Sequence, residues 1–207
     1  MAINFPDEWT GVRYNNCKWN AGKGGLPIKS NKNGVYTDNP QFFIECAEDT
    51  GLFVSLGQDD GRLKFQDKAM EVDDENVFES DKGYKFDKYP FKNRLVSAQL
   101  SIFKLPKKQK EDYLLKYDKN QAIHFGKIMQ TADNSARVKL EKGERYVIVP
   151  SPKEPTKKDE EFYLSLYFSC EALHKIRIER VGQGAFDLDP KSYRCKLLLS
   201  HNRAKIV

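Results

Sequence analysis

Residues 146–155 read Tyr146-Val147-Ile148-Val149-Pro150-Ser151-Pro152-Lys153-Glu154-Pro155, and residues 161–169 read Glu161-Phe162-Tyr163-Leu164-Ser165-Leu166-Tyr167-Phe168-Ser169. Each run is rich in the β-branched and aromatic residues that favour strands. The prolines of the first run cannot donate to a ladder of backbone hydrogen bonds, so they mark its end and the turn that follows. The two runs therefore predict a pair of strands joined by a proline-containing turn, in the manner of a hairpin.

Further short strands are predicted on the N-terminal side of this pair. Residues 41–47 and 52–58 are apolar runs on either side of Glu48-Asp49-Thr50-Gly51, which favours a tight hairpin connection. Residues 95–105 alternate in polarity up to Pro106, and residues 136–140 precede the turn at 141–144. Six or more short strands with regular turns are typical of an all-β antiparallel sandwich. Alternation along the strands predicts a core of Phe42, Ile44, Val54, Leu56, Val147, Val149, Leu164 and Leu166.

Three segments interrupt the regular spacing of the strands. Residues 59–94 form a long connection that includes the acidic run Glu71-Val72-Asp73-Asp74-Glu75, and connections of this length are usually functional or disordered. Residues 107–120 follow Pro106, a residue that is favoured at helix N-termini, and predict about two helical turns. Beyond residue 170, alternating residues predict two basic strands around Gly182-Gln183-Gly184.

Composition limits the class of protein. The 207 residues are 39% hydrophobic and 31% charged, which suits one folded core and excludes a wholly disordered chain. No run approaches the ~20 apolar residues of a membrane span, and the N-terminus lacks a signal-peptide pattern, so we expect a soluble cytoplasmic protein. Cys17, Cys46, Cys170 and Cys195 form no regular framework and are expected to be buried, reduced thiols.

Three motifs precede the strand pair at 146–169. They are Trp19-Asn20-Ala21-Gly22-Lys23-Gly24-Gly25, Asn39-Pro40-Gln41-Phe42 and Val54-Ser55-Leu56-Gly57-Gln58-Asp59. In this order and spacing, the motifs and the strand pair resemble the C2-like domain of calpain large subunits, also called domain III. The resemblance implies a free-standing calpain-like protein without the protease core. It implies an N-terminal arm at 1–8, a C2-like β-sandwich domain at 9–170 and a C-terminal extension at 171–207.

The residues give no reason to expect catalysis. A calpain-type protease needs a Cys-His-Asn constellation, and the sequence gives no reason to expect a cysteine and a histidine to converge into one. Cys170 and His174 are two potential zinc ligands without a second pair of similar spacing. The glycines at 22–25 lack the spacing of a nucleotide-binding loop. We therefore expect a protein that is not an enzyme and that carries no cofactor or metal.

The resemblance also implies calcium-dependent contact with phospholipid. A calcium ion needs about six to eight converging oxygens, and the candidate ligands are Asp49, Asp59 and Asp60. The dense acidic loop of calpains is reduced here to Glu48 and Asp49. A calcium- or phospholipid-responsive peripheral membrane module is therefore the alternative function.

The C-terminal extension is distinctly basic. Residues 171–207 hold eight Lys and Arg against four Asp and Glu, which gives +4 of the net charge of +5. Elsewhere basic residues stand beside acids, so no nucleic-acid partner is expected. A basic extension can bind an acidic protein surface, or it can add a strand to a neighbouring sheet. The candidate contact residues are Lys175, Arg177, Ile178, Arg180, Arg194, Lys196, Arg203 and Lys205.

The function expected from these observations is a non-enzymatic structural or docking subunit that binds protein partners. The resemblance to free-standing calpain-like proteins implies a cytoskeletal setting, namely a microtubule, ciliary or flagellar assembly. The partners would then be tubulin or axonemal proteins. A second interpretation of the extension is that it folds back onto its own sandwich, in which case Cys195 and the neighbouring leucines belong to the core.

Overall fold

The computed structural model describes residues 9–28, 35–59, 95–169, 173–181 and 196–198, with the backbone alone at 16, 173 and 196–198. These segments are mostly strand, with three short 3-10 helices at Tyr36–Asp38, Lys119–Gln121 and Leu173–Lys175. The strands are β1 (Thr10–Trp19), β2 (Gln41–Cys46), β3 (Thr50–Gly57), β4 (Ala98–Lys104), β5 (Ala122–Phe125), β6 (Asp133–Leu140), β7 (Arg145–Pro152), β8 (Glu160–Phe168), β9 (Ile176–Val181) and β10 (Lys196–Leu198).

The described strands form two antiparallel sheets of five strands. The first sheet has the order β10-β1-β8-β3-β6, and the second sheet has the order β5-β4-β7-β2-β9. The prediction of an all-β antiparallel sandwich is confirmed. Among the strands, β1 and β5 were not predicted.

The short connections cross from one sheet to the other, which corrects the predicted hairpins. Strand β7 lies in the second sheet and β8 in the first, so the proline-containing turn joins the two sheets. The same holds for β2 and β3, and for β6 and β7. Turn residues such as Gly143, which has a φ of 68°, reverse the chain equally well within a sheet or between sheets. Turn chemistry therefore predicted where the strands end but gave the wrong pairing.

The main core lies between the two sheets. Six of the predicted core residues belong to it, namely Phe42, Ile44, Val54, Leu56, Leu164 and Leu166, each at most 1% exposed. Trp19 of β1 is also buried there, and its indole nitrogen donates to the carbonyl oxygen of Pro150 in β7 at 3.0 Å. This hydrogen bond satisfies the polar atom of a buried tryptophan and links the two sheets.

Val147 and Val149 are buried but do not lie in the main core, which corrects the prediction for β7. Tyr146 and Ile148 of this strand face the first sheet. Val147 and Val149 belong to a second apolar cluster, on the outer face of the second sheet, with Leu26, Tyr36, Phe43, Phe103, Leu105 and Leu114. Because β7 is buried on both faces, it is apolar throughout, and its alternation does not identify the inner face.

The chain between β4 and β5 covers this second cluster. The predicted helix at 107–120 is wrong, because these residues form turns and bends up to the 3-10 helix at Lys119–Gln121. Side chains of the sheet occupy backbone groups that a helix would use. The Gln41 amide pairs with the Leu114 backbone at 2.7 and 3.4 Å, and the Arg145 guanidinium donates to the carbonyl oxygens of Pro106, Gln109 and Lys110. A short isolated helix is marginal in water, so these bonds decide the conformation.

The two described strands of the C-terminal extension belong to the sandwich. Strand β9 pairs with β2 from Gln41 to Cys46, and β10 pairs with β1 from Gly11 to Arg13. They do not pair with each other, so the expected pair of strands around Gly182-Gln183-Gly184 lies in two different sheets. Within the described residues, the extension completes one edge of each sheet.

Candidate functional site

The described strands of the two sheets leave four edges, and these edges differ in charge. Strand β6 carries Asp133, Arg137 and Lys139, and β9 carries three charged residues in six positions. Strand β10 has only three residues. Charged or very short edge strands protect a sheet against pairing with another chain. In contrast, β5 reads Ala-Ile-His-Phe, with no acidic residue, lysine or arginine.

Strand β5 belongs to a longer segment that follows β4. It pairs with β4 through Phe125 opposite Ser101, with an irregularity in the register next to Phe103. The segment then continues past Gly126, whose amide donates to Leu100 at 3.0 Å, to Met129, which exchanges two hydrogen bonds of 2.9 Å with Ala98. In an antiparallel ladder, alternate backbone groups of an edge strand point away from the sheet. The strand residues Ala122–Phe125 therefore offer backbone donors and acceptors along the edge.

Glycine is required at position 126 for this arrangement. A Cβ atom there would lie 2.6 Å from the Leu100 carbonyl oxygen, well inside van der Waals contact. The Gln99 side chain also donates to the Gly126 carbonyl oxygen. Together these contacts hold residues 122–129 close against β4, so the edge is defined by the sheet and does not hang free of it.

Apolar side chains are concentrated on this edge. Of the five large hydrophobic side chains that are most exposed in the described part of the chain, three lie within six residues of one another. They are Ile123, Phe125 and Ile128, at 40%, 40% and 42% exposure. Single exposed apolar residues are ordinary, whereas a cluster on one element marks an interaction surface.

Phe125 stands at the end of a chain of aromatic contacts. Its ring centroid lies 6.3 Å from that of Tyr117, which in turn contacts the rings of Tyr36 and Phe103 at 4.7 and 6.1 Å. Tyr36 and Phe103 are buried in the second cluster. The Lys119 ammonium lies 5.2 Å from the Phe125 centroid, within cation–π range. Phe125 is therefore an exposed ring on a packed support, which suits an anchor for a ligand.

His124 lies between the two exposed residues of β5. Its neighbour across the ladder is Ile102, a residue of the main core. Partial burial lowers the pKa of the His124 imidazole below its ordinary value, because the charged form is less well solvated there. The neutral ring is thus favoured at neutral pH, which leaves the edge apolar.

The cations predicted at the start of the C-terminal extension contact carboxylates of the same chain. The Lys175 ammonium lies 2.9 Å from Glu48. Arg177 contacts Glu179, Asp112 and Glu45, at 2.8, 2.9 and 3.8 Å. The structure thus brings these predicted contact residues into intramolecular ion pairs.

Two further predicted residues of the extension pack onto the sandwich. Ile178 lies opposite Ile44 and packs against the main core. The Arg180 guanidinium lies 5.9 Å from the Phe42 ring centroid. Lys196 is opposite Arg13 in the β10–β1 ladder, with its backbone alone described. Arg194, Arg203 and Lys205 lie outside the described residues, as do Cys170 and Cys195.

The predicted calcium ligands are not brought together. Asp49 precedes β3 and Asp59 lies beyond its other end, so the whole eight-residue strand separates them, a length of roughly 26 Å. Asp49 instead accepts from the Lys142 amide at 2.9 Å, and Asp60 lies outside the described residues. Within the described segments, no three His, Cys, Asp or Glu side chains are grouped as metal ligands.

A shallow groove of about 650 Å³ lies at another place, between the start of β4 and the β7–β8 connection. Lys153, Lys157 and Lys158 line it together with Glu154 and Glu160. Because both signs of charge alternate around an open groove, it favours no particular class of ligand. Of the helices that the structure describes, none has the length and apolar character needed to cross a membrane.

The sequence did contain a signal for the β5 edge. Residues 122–125 alternate between small or polar and large apolar residues and end at a glycine, which is a weak strand pattern. Neither a protein-family model nor a curated protein matches this sequence.

Proposed function

We propose that this protein is a non-catalytic docking subunit that binds an extended segment of a partner protein on the edge of β5. The observation that carries the proposal is the composition of that edge, because β5 lacks the protective charges of β6 and β9 and exposes Ile123 and Phe125. A partner segment would add a sixth strand to the second sheet. Its backbone would provide affinity, and its alternate side chains would provide specificity.

The arrangement of the edge supports strand addition in particular. The Gly126 and Ala98–Met129 hydrogen bonds hold the segment against β4 at both ends of residues 126–129. Phe125 rests on Tyr117 and needs little reordering to receive a ligand. Preorganised apolar anchors reduce the entropy lost on binding. Both features favour recognition of an extended chain.

Non-catalytic binding is supported by the positions of the described thiols. Cys17 and Cys46 are buried in the main core, and burial raises the pKa of the Cys17 thiol to about 11. A nucleophilic cysteine needs an accessible thiolate. Neither residue meets this requirement.

The resemblance to the calpain C2-like domain supports a wider setting for this function. We propose that the docking subunit is a free-standing calpain-like protein and that it works in a cytoskeletal assembly, on microtubules, cilia or flagella. Co-sedimentation of the full chain with purified microtubules tests the setting. Retention of the chain in the supernatant at saturating polymer would exclude direct microtubule binding without affecting the docking edge.

The docking edge itself is tested with isotope-labelled full chain and three peptides of about ten residues, the length of an ordinary strand. Each peptide alternates valine or isoleucine with a second residue, which is glutamate, lysine or serine. Strand addition predicts that at least one peptide shifts the backbone amide signals of residues 122–129. Contacts between backbone protons of the peptide and β5 should appear in nuclear Overhauser spectra.

Two variants with uncharged substitutions distinguish binding at this edge from binding elsewhere on the surface. Ile123→Ser and Phe125→Ser remove apolar anchors and should each weaken binding by roughly tenfold, given about 1.5–3 kcal/mol for burying such a side chain. Val35→Ser is the matched control, because Val35 is 53% exposed and lies outside β5. Peptides that shift the amides of β6 or β9 instead, or that shift none, would contradict the proposed function.

A further inference from the structure

We propose that the segment bound by β5 is acidic as well as apolar, with carboxylates at the positions between its apolar residues. This inference rests on the proposed function and adds the chemistry of the partner. It follows from the charges that surround β5.

The region around the edge is rich in lysine. Residues 104–130 contain seven lysines and only three acidic residues, and no arginine. This excess is as large as the one that the sequence places in the C-terminal extension. The lysines lie before and after β5 in the sequence, and the strand itself carries no acidic residue, lysine or arginine.

The acids of this region are already engaged by other groups. Asp112 contacts Arg145 and Arg177 at 3.2 and 2.9 Å. Asp118 caps the 3-10 helix that follows it, accepting from the Asn120 amide at 2.9 Å. With all three acids counted, residues 104–130 keep a net charge of +4, and Asp112 is shared with two arginines from outside the region.

The lysines of this region also differ in whether they form ion pairs. Lys104 and Lys107 form ion pairs with Glu144, at 3.7 and 2.9 Å. Lys116, Lys119 and Lys127 are exposed and form no ion pair with a carboxylate of the described residues. Lys108 and Lys110 also form no ion pair with a carboxylate of the described residues, but Lys116, Lys119 and Lys127 stand closest to β5 in the chain.

These three lysines flank the apolar anchors. The Lys119 ammonium lies over the Phe125 ring at 5.2 Å from its centroid. Lys116 precedes Tyr117, the residue that supports Phe125, and Lys127 stands between Phe125 and Ile128 in the sequence. An apolar strip with a positive border is complementary to a chain in which apolar and acidic residues alternate. Complementary border charges select the partner and accelerate association.

The other edges do not have this combination. Strand β9 carries Arg177 and Arg180, but Arg177 contacts three carboxylates. The lysines at 153–158 stand beside Glu154 and Glu160. In the part of the chain that the structure describes, an apolar edge and unneutralised cations coincide at β5.

The test compares the glutamate, lysine and serine peptides on the full chain, by fluorescence anisotropy with each peptide labelled. We expect the glutamate peptide to bind at least tenfold more tightly than the lysine peptide, with the serine peptide between them. Raising the salt from ~0.05 M to ~0.5 M should weaken the glutamate peptide most, because the screening length becomes shorter than the spacing of exposed charges.

Charge reversal locates the effect. The triple variant Lys116→Glu, Lys119→Glu and Lys127→Glu should reverse the preference, so that the lysine peptide binds better than the glutamate peptide. The matched control reverses three exposed lysines elsewhere, Lys139→Glu, Lys142→Glu and Lys157→Glu, and has the same net charge. It should leave the preference for glutamate intact. If the charge-reversed variant does not fold, Lys116, Lys119 and Lys127 are replaced by Gln instead. That triple variant should lose the preference for the glutamate peptide without reversing it.

Three outcomes would overturn this inference. Equal binding of all three peptides on residues 122–129 would leave the docking function in place but remove the acidic partner. If the control triple variant also lost the preference for the glutamate peptide, that preference would come from the net charge of the protein and not from the lysines near β5. Concentration-dependent shifts of the 122–129 amides without peptide would identify a second copy of this chain as the occupant.

Discussion

The Arg177 guanidinium donates to the Asp112 carboxylate at 2.9 Å, which joins one edge of the second sheet to the chain that leads to the opposite edge. Arg177 lies in β9, and Asp112 lies in the connection between β4 and β5. The second oxygen of Asp112 contacts Arg145 of β7 at 3.2 Å. Since Leu114 also bonds to Gln41 of β2, the connection is fixed to three strands, β9, β7 and β2, before it turns back to form β5.

We expect Asp112→Asn to lower the free energy of unfolding by roughly 1–2 kcal/mol, because it weakens hydrogen bonds to two guanidinium groups. Urea denaturation followed by circular dichroism measures this change. Glu111→Gln is the matched control, since it removes the adjacent charge and should cost less than about 0.5 kcal/mol. Equal effects of the two variants would show that the ion pairs of Asp112 contribute little.

Gly57→Ala should disturb the outer face of the first sheet. The Tyr163 ring lies over Gly57, so a Cβ atom there would overlap the ring. Tyr163 would have to move away from Arg13, whose guanidinium lies 3.8 Å from the ring centroid. We expect a loss of about 1–3 kcal/mol.

A double-mutant cycle tests the cause of this loss. In a Tyr163→Ala background, Gly57→Ala should cost much less, because the obstructing ring is absent. Equal costs in the two backgrounds would point to a backbone effect of the alanine and would refute the steric explanation.

The Cys17 thiol should resist alkylation in the folded protein. Burial in the main core raises its pKa to about 11, against a smaller opposing effect of Arg180. At pH 8 roughly one thiol in a thousand would then be a thiolate, the reactive form. Peptide mapping after iodoacetamide treatment, with and without urea, measures the labelling of this residue. Rapid labelling of Cys17 without urea would place it outside the core.

His124 should make the protein less stable under mildly acidic conditions. Since burial lowers the pKa of its imidazole in the folded state, the unfolded chain binds the proton more readily. The free energy of unfolding should therefore fall as the pH drops through about 6.5, the ordinary value for histidine. Denaturation curves between pH 7.5 and ~5.5 measure the trend. His124→Gln should remove that part of the slope, and an unchanged slope would assign it to another group.

The sequence predicted strand positions better than strand pairing. Residues such as Leu164 and Leu166 alternate cleanly with polar neighbours, because β8 buries one face more deeply than the other. Strand β7 is buried on both faces. The apolar character of Val147 and Val149 therefore does not show which face of the strand points into the main core. The connections between strands contain the same glycines, prolines and acids whether they cross between sheets or not. Pairing depends on contacts between distant residues, which local patterns do not contain.

The candidate site was harder to predict than the fold. Net charge predicted a contact site in the C-terminal extension, yet Arg177 and Lys175 contact acids that are remote in the sequence, including Asp112 and Glu48. The β5 edge depends on what is absent beside it, namely a further strand in the described part of the sheet. A short run such as residues 122–125 does not reveal its place at an edge. That property belongs to the order of the strands.

The crossing of the short connections also bears on how this chain reaches its fold. Of the described strands, only β4 and β5 are neighbours in both the sequence and a sheet. Strand β1 cannot pair with β8 until β8 has been synthesised, about 140 residues later. At roughly 5–20 residues per second, synthesis of that stretch takes on the order of 10 s. Few local pairings are available to begin folding, so we expect slow folding, as for other β proteins of high contact order. A nascent chain would therefore hold β1 without its partner strand β8 throughout this interval.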